Sequence, residues 1–247
     1  MSHSSEMIRT AGLTKKYGSS TAVDGLDLSI QEGELFSLLG VNGAGKTTTI
    51  RMLACLSAPS AGEAFVGGYS CTAQAEEVKR LIGISPQDTA VAGRLTVREN
   101  LRFMASLYTP ERAEAERRCG EMLEMFRFEE NADRQARTLS GGWQRKLSIA
   151  MALIGEPKVL FLDEPTLGLD VLARRELWSV IRRLKENRTI ILTTHYMEEA
   201  EALSDRIAIL QRGRMEICGT LAEIEEAAGV SGLENAFIAL AERGDQL

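Results

Sequence analysis

Gly40, Val41, Asn42, Gly43, Ala44, Gly45, Lys46, Thr47 and Thr48 stand in one run, and their order suits polyphosphate chemistry. The glycines let a backbone wrap closely and present successive N–H groups to an anion. Lys46 adds a charge for β- and γ-phosphates, and the Thr47 hydroxyl adds an oxygen ligand for Mg²⁺. A second run, Val159-Leu-Phe-Leu-Asp163-Glu164, carries two adjacent carboxylates at the end of an apolar stretch. Asp163 suits Mg²⁺ support, and Glu164 suits polarising a water for attack on a terminal phosphoryl group. Alternation along a strand predicts that the two point to opposite sides. A Gly-rich surface turn and a strand ended by Pro165 would explain either run alone, but not the pairing of the two. A third run, Leu139-Ser140-Gly141-Gly142, places bare backbone N–H groups where a helix opens, which makes a further anion cradle. One nucleotide does not need two separate helix-end cradles, so each is expected to serve a different nucleotide across a dimer.

The elements that must position these groups follow from the apolar pattern. Residues 34–39 are short and mostly apolar, as in a strand buried on both faces of a parallel sheet. A helix is expected from about Gly45, with Ile50, Leu53 and Ala54 at helical spacing and its positive end toward the anion. Residues up to about Gln87 read as short strands around this loop. From Asp88 to Glu156 the chain turns helical. Thr96-Val-Arg-Glu99 is a capping box, followed by an apolar stripe of Val97, Leu101, Met104 and Tyr108. A charged helix is expected over 110–126, and a further one after Gly142, with Leu147, Ala150, Met151 and Ile154 on one face. Strands and helices then alternate: 159–163, 172–186, 189–194, a helix from Met197, and 206–210. Thr220-Leu-Ala-Glu223 is a second capping box and opens a short helical tail.

Composition sets bounds. At 247 residues one substantial core fits, alone or with a subdomain. A formal charge of −6 argues against a basic nucleic-acid surface. Cys55, Cys71, Cys119 and Cys218 are scattered without metal-like pairing, which suits a reducing compartment. No apolar run approaches the roughly 20 residues that span a bilayer, and the opening Met-Ser-His-Ser-Ser-Glu lacks the apolar core of a secretory signal. Any membrane role is expected to come through a partner.

The three runs, in this order and at this spacing, resemble the ATP-binding cassette (ABC) ATPases over nearly the whole chain. The resemblance implies an α/β fold. Its P-loop NTPase (RecA-like) core carries a small N-terminal antiparallel β subdomain and an inserted α-helical subdomain. It divides the chain into a nucleotide-binding domain over 1–219 (core 1–87 and 157–219, helical insertion 88–156) and a tail over 220–247. It also implies further roles. Tyr17 would stack on adenine. Gln87, in Ser-Pro-Gln-Asp, would reach Mg²⁺ or the attacking water from the hinge of the insertion. Asp170, in Gly-Leu-Asp, would belong to the D-loop. His195 would contact the γ-phosphate and act in catalysis with Glu164. Ser140, Gly141 and Gly142 would hold a partner's ATP. Trp143 departs from the family's usual Gln, and Val171 from a frequent Pro.

The implied cofactors are ATP and Mg²⁺, with Thr47, Gln87 and Asp163 at the metal. The implied partners are a second copy or a paired ATPase subunit, together with integral membrane permease subunits, at the cytoplasmic face of the membrane. No direct nucleic-acid contact is expected. The phosphate-loop helix and Thr-Thr-His-Tyr-Met-Glu-Glu-Ala-Glu are most similar to the drug- and polysaccharide-exporter branch, and Met151 stands where importers commonly carry Arg. A soluble ABC ATPase acting on nucleic acid or ribosomes is the alternative. Its relatives usually carry tandem cassettes, coiled-coil insertions or zinc-type cysteine pairs, which this sequence lacks.

Overall fold

The computed structural model describes residues 5–244. Residues 1–4 of the polar opening, with His3, and residues 245–247 of the tail, lie outside them. Six strands form the central sheet in the order β10-β9-β3-β8-β7-β6. They are β3 (Leu35–Leu39), β6 (Ile82–Ser85), β7 (Val159–Asp163), β8 (Thr189–Thr194), β9 (Arg206–Gln211) and β10 (Arg214–Gly219). All neighbours in this sheet are parallel except the β9–β10 hairpin. An antiparallel sheet of order β2-β1-β4-β5 packs against it, made of β1 (Glu6–Tyr17), β2 (Ser20–Gln31), β4 (Ala61–Val66) and β5 (Tyr69–Ser70).

Two of these strands exceed the sequence-based expectation. β1 and β2 run for 12 residues each, not as short strands, because repeated register shifts let the pair twist and bend without ending. β10 was not expected at all. Its alternating run Arg214-Met215-Glu216-Ile217 is short, and the turn that makes it is an Arg212-Gly213 pair with both φ angles in the left-handed region, at 48° and 84°.

The helices are α1 (Lys46–Leu53), α2 (Ala75–Leu81), α3 (Val97–Tyr108), α4 (Arg112–Met125), α5 (Gly141–Leu153), α6 (Val171–Leu184), α7 (Met197–Leu203), α8 (Leu221–Ala228) and α9 (Leu233–Gly244). Both expected capping boxes form, at Thr96–Glu99 and Thr220–Glu223. The apolar stripe on α3 divides: Val97 and Leu101 are buried, whereas Tyr108 is 46 % exposed at the rim of an open groove.

Period-two alternation sorts the sheet into two cores. Val159 and Phe161 of β7 face the antiparallel sheet, together with Phe36, Ile191, Ile8 and Leu26. Leu160 and Leu162 face the helices, with Leu147, Ile149, Leu177 and Ile181. Burying each such side chain contributes about 1.5–3 kcal/mol before the entropy of ordering is counted. A third cluster joins Ile207 and Ile209 to α7, α8 and α9. The consequence for the site is a stiff sheet whose β3, β7 and β8 all end at one edge, where ligands of open α/β sheets bind. Among the described residues no helix is long and apolar enough to cross a membrane.

Candidate active site

The loop after β3 is shaped by backbone geometry that only glycine tolerates. Gly45 caps α1 at φ 102°, and a Cβ there would lie 2.5 Å from the Ala22 carbonyl oxygen. The turn delivers Lys46 to the mouth of β7. Its Nζ donates to the carbonyl oxygens of Gly40 (2.7 Å) and Val41 (3.2 Å) and lies 3.2 Å from Glu164 Oε1. Both charged side chains are only 5 % exposed, so each depends on the other.

Glu164 lies just past β7 at φ 51°, and this left-handed step cancels the expected alternation. Asp163 and Glu164 therefore both reach the start of α1. Asp163 Oδ1 accepts from Thr47 Oγ1 (3.0 Å) and from Thr193 Oγ1 (2.6 Å). Glu164 Oε2 pairs with His195 Nδ1 at 2.6 Å, the ring donating from its Nδ1–H tautomer.

A cleft of about 440 Å³ opens over Lys46, Thr47 and Glu164, and shares Thr47 and Gln87 with an adjoining cavity that Asp163 lines. Asn42, Gly43, Ala44, Gly45, Lys46, Thr47 and Thr48 line its floor, and Tyr17, Gln87 and Glu164 its walls. Tyr17 is 51 % exposed, with its ring under the Lys15 ammonium. The donors at its centre suit a Mg²⁺ triphosphate: backbone amides and an ammonium for phosphate, and a hydroxyl beside a carboxylate as oxygen ligands for a hard cation.

Gly40, Val41, Asp163 and His195 do not line this cleft but touch Lys46, Thr47 or Glu164, which do. Four other expected site residues are neither in it nor joined to it. Ser140 and Gly141 are exposed at the start of α5, and Gly142 lies beside them. Asp170 is the N-cap of α6, its Oδ1 accepting from the N–H groups of Leu172 (2.9 Å) and Ala173 (3.0 Å).

Three buried polar residues with no expected role lie in the site or behind it. Thr193 is fully buried, and its hydroxyl orients both carboxylate residues, donating to Asp163 and accepting from the Glu164 N–H at 3.0 Å. In sequence it reads as one more β-branched strand residue. Arg145, 5 % exposed, donates to the carbonyl oxygens of Pro86 (2.6 Å) and Gln87 (2.5 Å). Burial lowers its pKa from the usual guanidinium value. The available signal was its spacing: Arg145 and Ser148 share the buried face of α5, and Ser148 bonds Ser85 at 2.9 Å.

Glu199 is the third. It has no exposure, and Trp178 Nε1 donates to its Oε1 at 3.0 Å, while Oε2 has no partner in hydrogen-bond geometry among the described residues. Burial pushes its carboxyl pKa up, and the hydroxyls of Thr194 and Thr166 and the Trp178 indole offset this only in part. Because the folded-state value is raised, the neutral carboxyl's contribution is complete below the unfolded-state value and is lost as pH climbs through the folded one. Glu199→Gln cannot ionise. The Tm of the wild type should therefore fall relative to this variant between about pH 5 and about pH 8. Thermal melts of both proteins at the two pH values check this, and a relative gain by the wild type would mean the carboxylate is held ionised.

A phosphate loop after β3, a carboxylate on β7 reaching the loop's threonine, and a parallel sheet between helices define a P-loop nucleoside triphosphatase. Residues 23–167 match the ABC transporter family. The daunorubicin/doxorubicin resistance ATP-binding protein DrrA of Streptomyces peucetius is 43 % identical over 223 residues, 90 % of this chain and 68 % of that protein. A solved ATP binding subunit of an ABC transporter superposes with a TM-score of 0.85 at 31 % identity, over 95 % of this chain and 99 % of that one. A dimeric post-hydrolysis state of the ATP-binding cassette MJ0796, bound to ADP and Pi, gives 0.78 at 28 %, over 87 % and 99 %. The chain belongs to the ABC transporter family, as an ATP-binding and ATP-hydrolysing cassette. The expected fold class holds as well.

Proposed function

We propose that this cassette powers export through separately encoded integral membrane subunits, as the peripheral ATPase at the cytoplasmic face of the membrane. Two copies, or this chain and a paired ATPase, would close head-to-tail around two ATP–Mg²⁺. The observation that carries this reading is Gly141. Its φ is not positive and a Cβ there would meet nothing within 4 Å among the described residues, so no contact among them calls for glycine. A bare, exposed helix start beside Ser140, outside the cleft, fits a ligand brought by another molecule.

Within each site the contacts support the roles of Lys46, Thr47, Asp163 and Glu164, and the family resemblance supports those of Tyr17, Gln87 and Asp170. The loop amides and Lys46 bind the phosphates, and Tyr17 supports the base. Thr47, Asp163 and Gln87 would hold Mg²⁺, which when bound offsets charge on the phosphate oxygens. When a γ-phosphate arrives, Lys46 gains a second anionic partner, and Glu164 is released toward a water. His195, donating from Nδ1 to Glu164, keeps that carboxylate aimed. Asp170 would act across the pair from the start of α6. The export direction rests on likeness to drug-resistance ATP-binding proteins such as DrrA.

The permease is expected in the groove between β6 and α3 and α5, about 320 Å³, with Leu56, Ile84, Met104, Tyr108 and Met151 on its walls. Leu107 and Phe103 stand exposed on the same helix, at 64 % and 55 %. Pro86, beside Gln87, lines this groove, so a seated helix would touch the glutamine's loop. Tagged chain recovered from detergent-solubilised membranes should retain an integral membrane protein. Leu107→Asp should lose that protein while keeping ATP affinity. Recovery of ribosomes or nucleic acid that stimulate the ATPase would overturn the reading in favour of a soluble ABC ATPase.

A further inference from the structure

His195 is held on two sides, and only one of them is Glu164. Its ring lies on that of Tyr196, with centroids 4.1 Å apart and planes at 40°. Tyr196 in turn carries the Arg174 guanidinium 4.4 Å from its ring centroid. Arg174 is one turn into α6, its N–H bonded to the Asp170 carbonyl at 2.9 Å. Its only ion pair among the described residues is a loose one, 3.9 Å to the exposed Glu198, and its buried Nε has no hydrogen-bond partner. The aromatic face is thus the principal contact of this guanidinium. One turn further along α6, Trp178 holds the buried Glu199. α6 therefore grips the segment after β8 at two points, and the first lies against the histidine.

We propose that Arg174 and Tyr196 are positioning residues that fix the His195 ring for hydrolysis, so that the segment of Asp170, from which α6 starts, controls the histidine's orientation. The proposal rests on the catalytic role of His195 given above. A cation packed on a tilted ring pair pins the imidazole against rotation about χ2, which leaves its Nδ1–H aimed at Glu164. The lever is short: Asp170 caps α6, Arg174 follows one turn later, and one aromatic ring separates that guanidinium from the imidazole. A displacement of the Asp170 segment moves Arg174, and the ring stack passes that motion on.

The test separates ring and charge from simple packing. ATP turnover and KM are measured for the purified chain and five variants. Tyr196→Phe keeps the stack and should stay within about 2-fold of wild-type kcat. Tyr196→Leu and Arg174→Ala should lower kcat by about 2- to 30-fold, the worth of a cation–π contact, with KM for ATP unchanged. The double variant should be no slower than Tyr196→Leu alone, because the guanidinium acts through the ring. Additive losses, or a Tyr196→Phe as slow as Tyr196→Leu, would overturn the relay. His195→Ala distinguishes the two levels. If it is inactive while Tyr196→Leu turns over normally, the relay fails and the histidine's role stands. If His195→Ala itself turns over normally, the catalytic reading of His195 fails and the relay with it.

Discussion

Glu164→Gln should bind ATP as tightly as the wild type and hydrolyse it about 10²- to 10⁴-fold more slowly, the usual worth of a positioned general base. The carboxamide keeps the shape of the side chain and can still accept from His195 Nδ1–H, which now lies 2.6 Å from Oε2. It cannot take a proton from water. Lys46 loses its anionic neighbour but keeps the carbonyl oxygens of Gly40 and Val41, so the phosphate cradle stays assembled. Nucleotide that enters is then trapped, and the closed pair should accumulate. Single-turnover hydrolysis together with gel filtration in ATP–Mg²⁺ reads both effects. Near-normal hydrolysis by this variant would remove Glu164 from the chemistry.

Lys46→Ala should fail at the earlier step, with ATP affinity lower by at least about 100-fold. Charge-assisted hydrogen bonds to phosphate are the strong ones, and losing about 3 kcal/mol of them corresponds to that factor. The same substitution leaves Glu164 buried without an ion pair to any lysine or arginine among the described residues, so Tm should drop as well. Adding Glu164→Gln should recover part of that Tm, because the stranded charge is gone, while ATP affinity stays low. Titration with a fluorescent ATP analogue and melting of the single and double variants test this. A double variant less stable than Lys46→Ala alone would show that the pair is not electrostatically coupled.

What the sequence disclosed and what it withheld divide by the range of the interaction. A phosphate loop must be a local string, because one turn of backbone presents its amides, so the residues from Gly40 to Thr48 could be read directly. Capping boxes at Thr96 and Thr220 are equally local, each closed within four residues. Thr193, Arg145 and Glu199 act on groups that only the tertiary fold brings near, and their types are ordinary at those positions. The direction of Glu164 was misjudged for a related reason. Strand alternation says nothing about a residue one step beyond the strand, where φ is 51°. The edge strand β10 is harder to read because its alternation, Arg214 to Ile217, lasts only four residues and its pairing is set by an Arg-Gly turn.

The buried guanidinium of Arg145 has a mechanical consequence. It grips two consecutive carbonyls, at Pro86 and Gln87, from the first turns of the helix that Ser140 opens. Sliding one past the other would strand a cation in a dry interior, so helix and loop behave as gears on one shaft. In the closed pair proposed above, a pull on the Ser140 end of α5 would pass through Arg145, in the same first turns, to the loop that carries Gln87. Two engines bolted together in this way would not easily fire out of step.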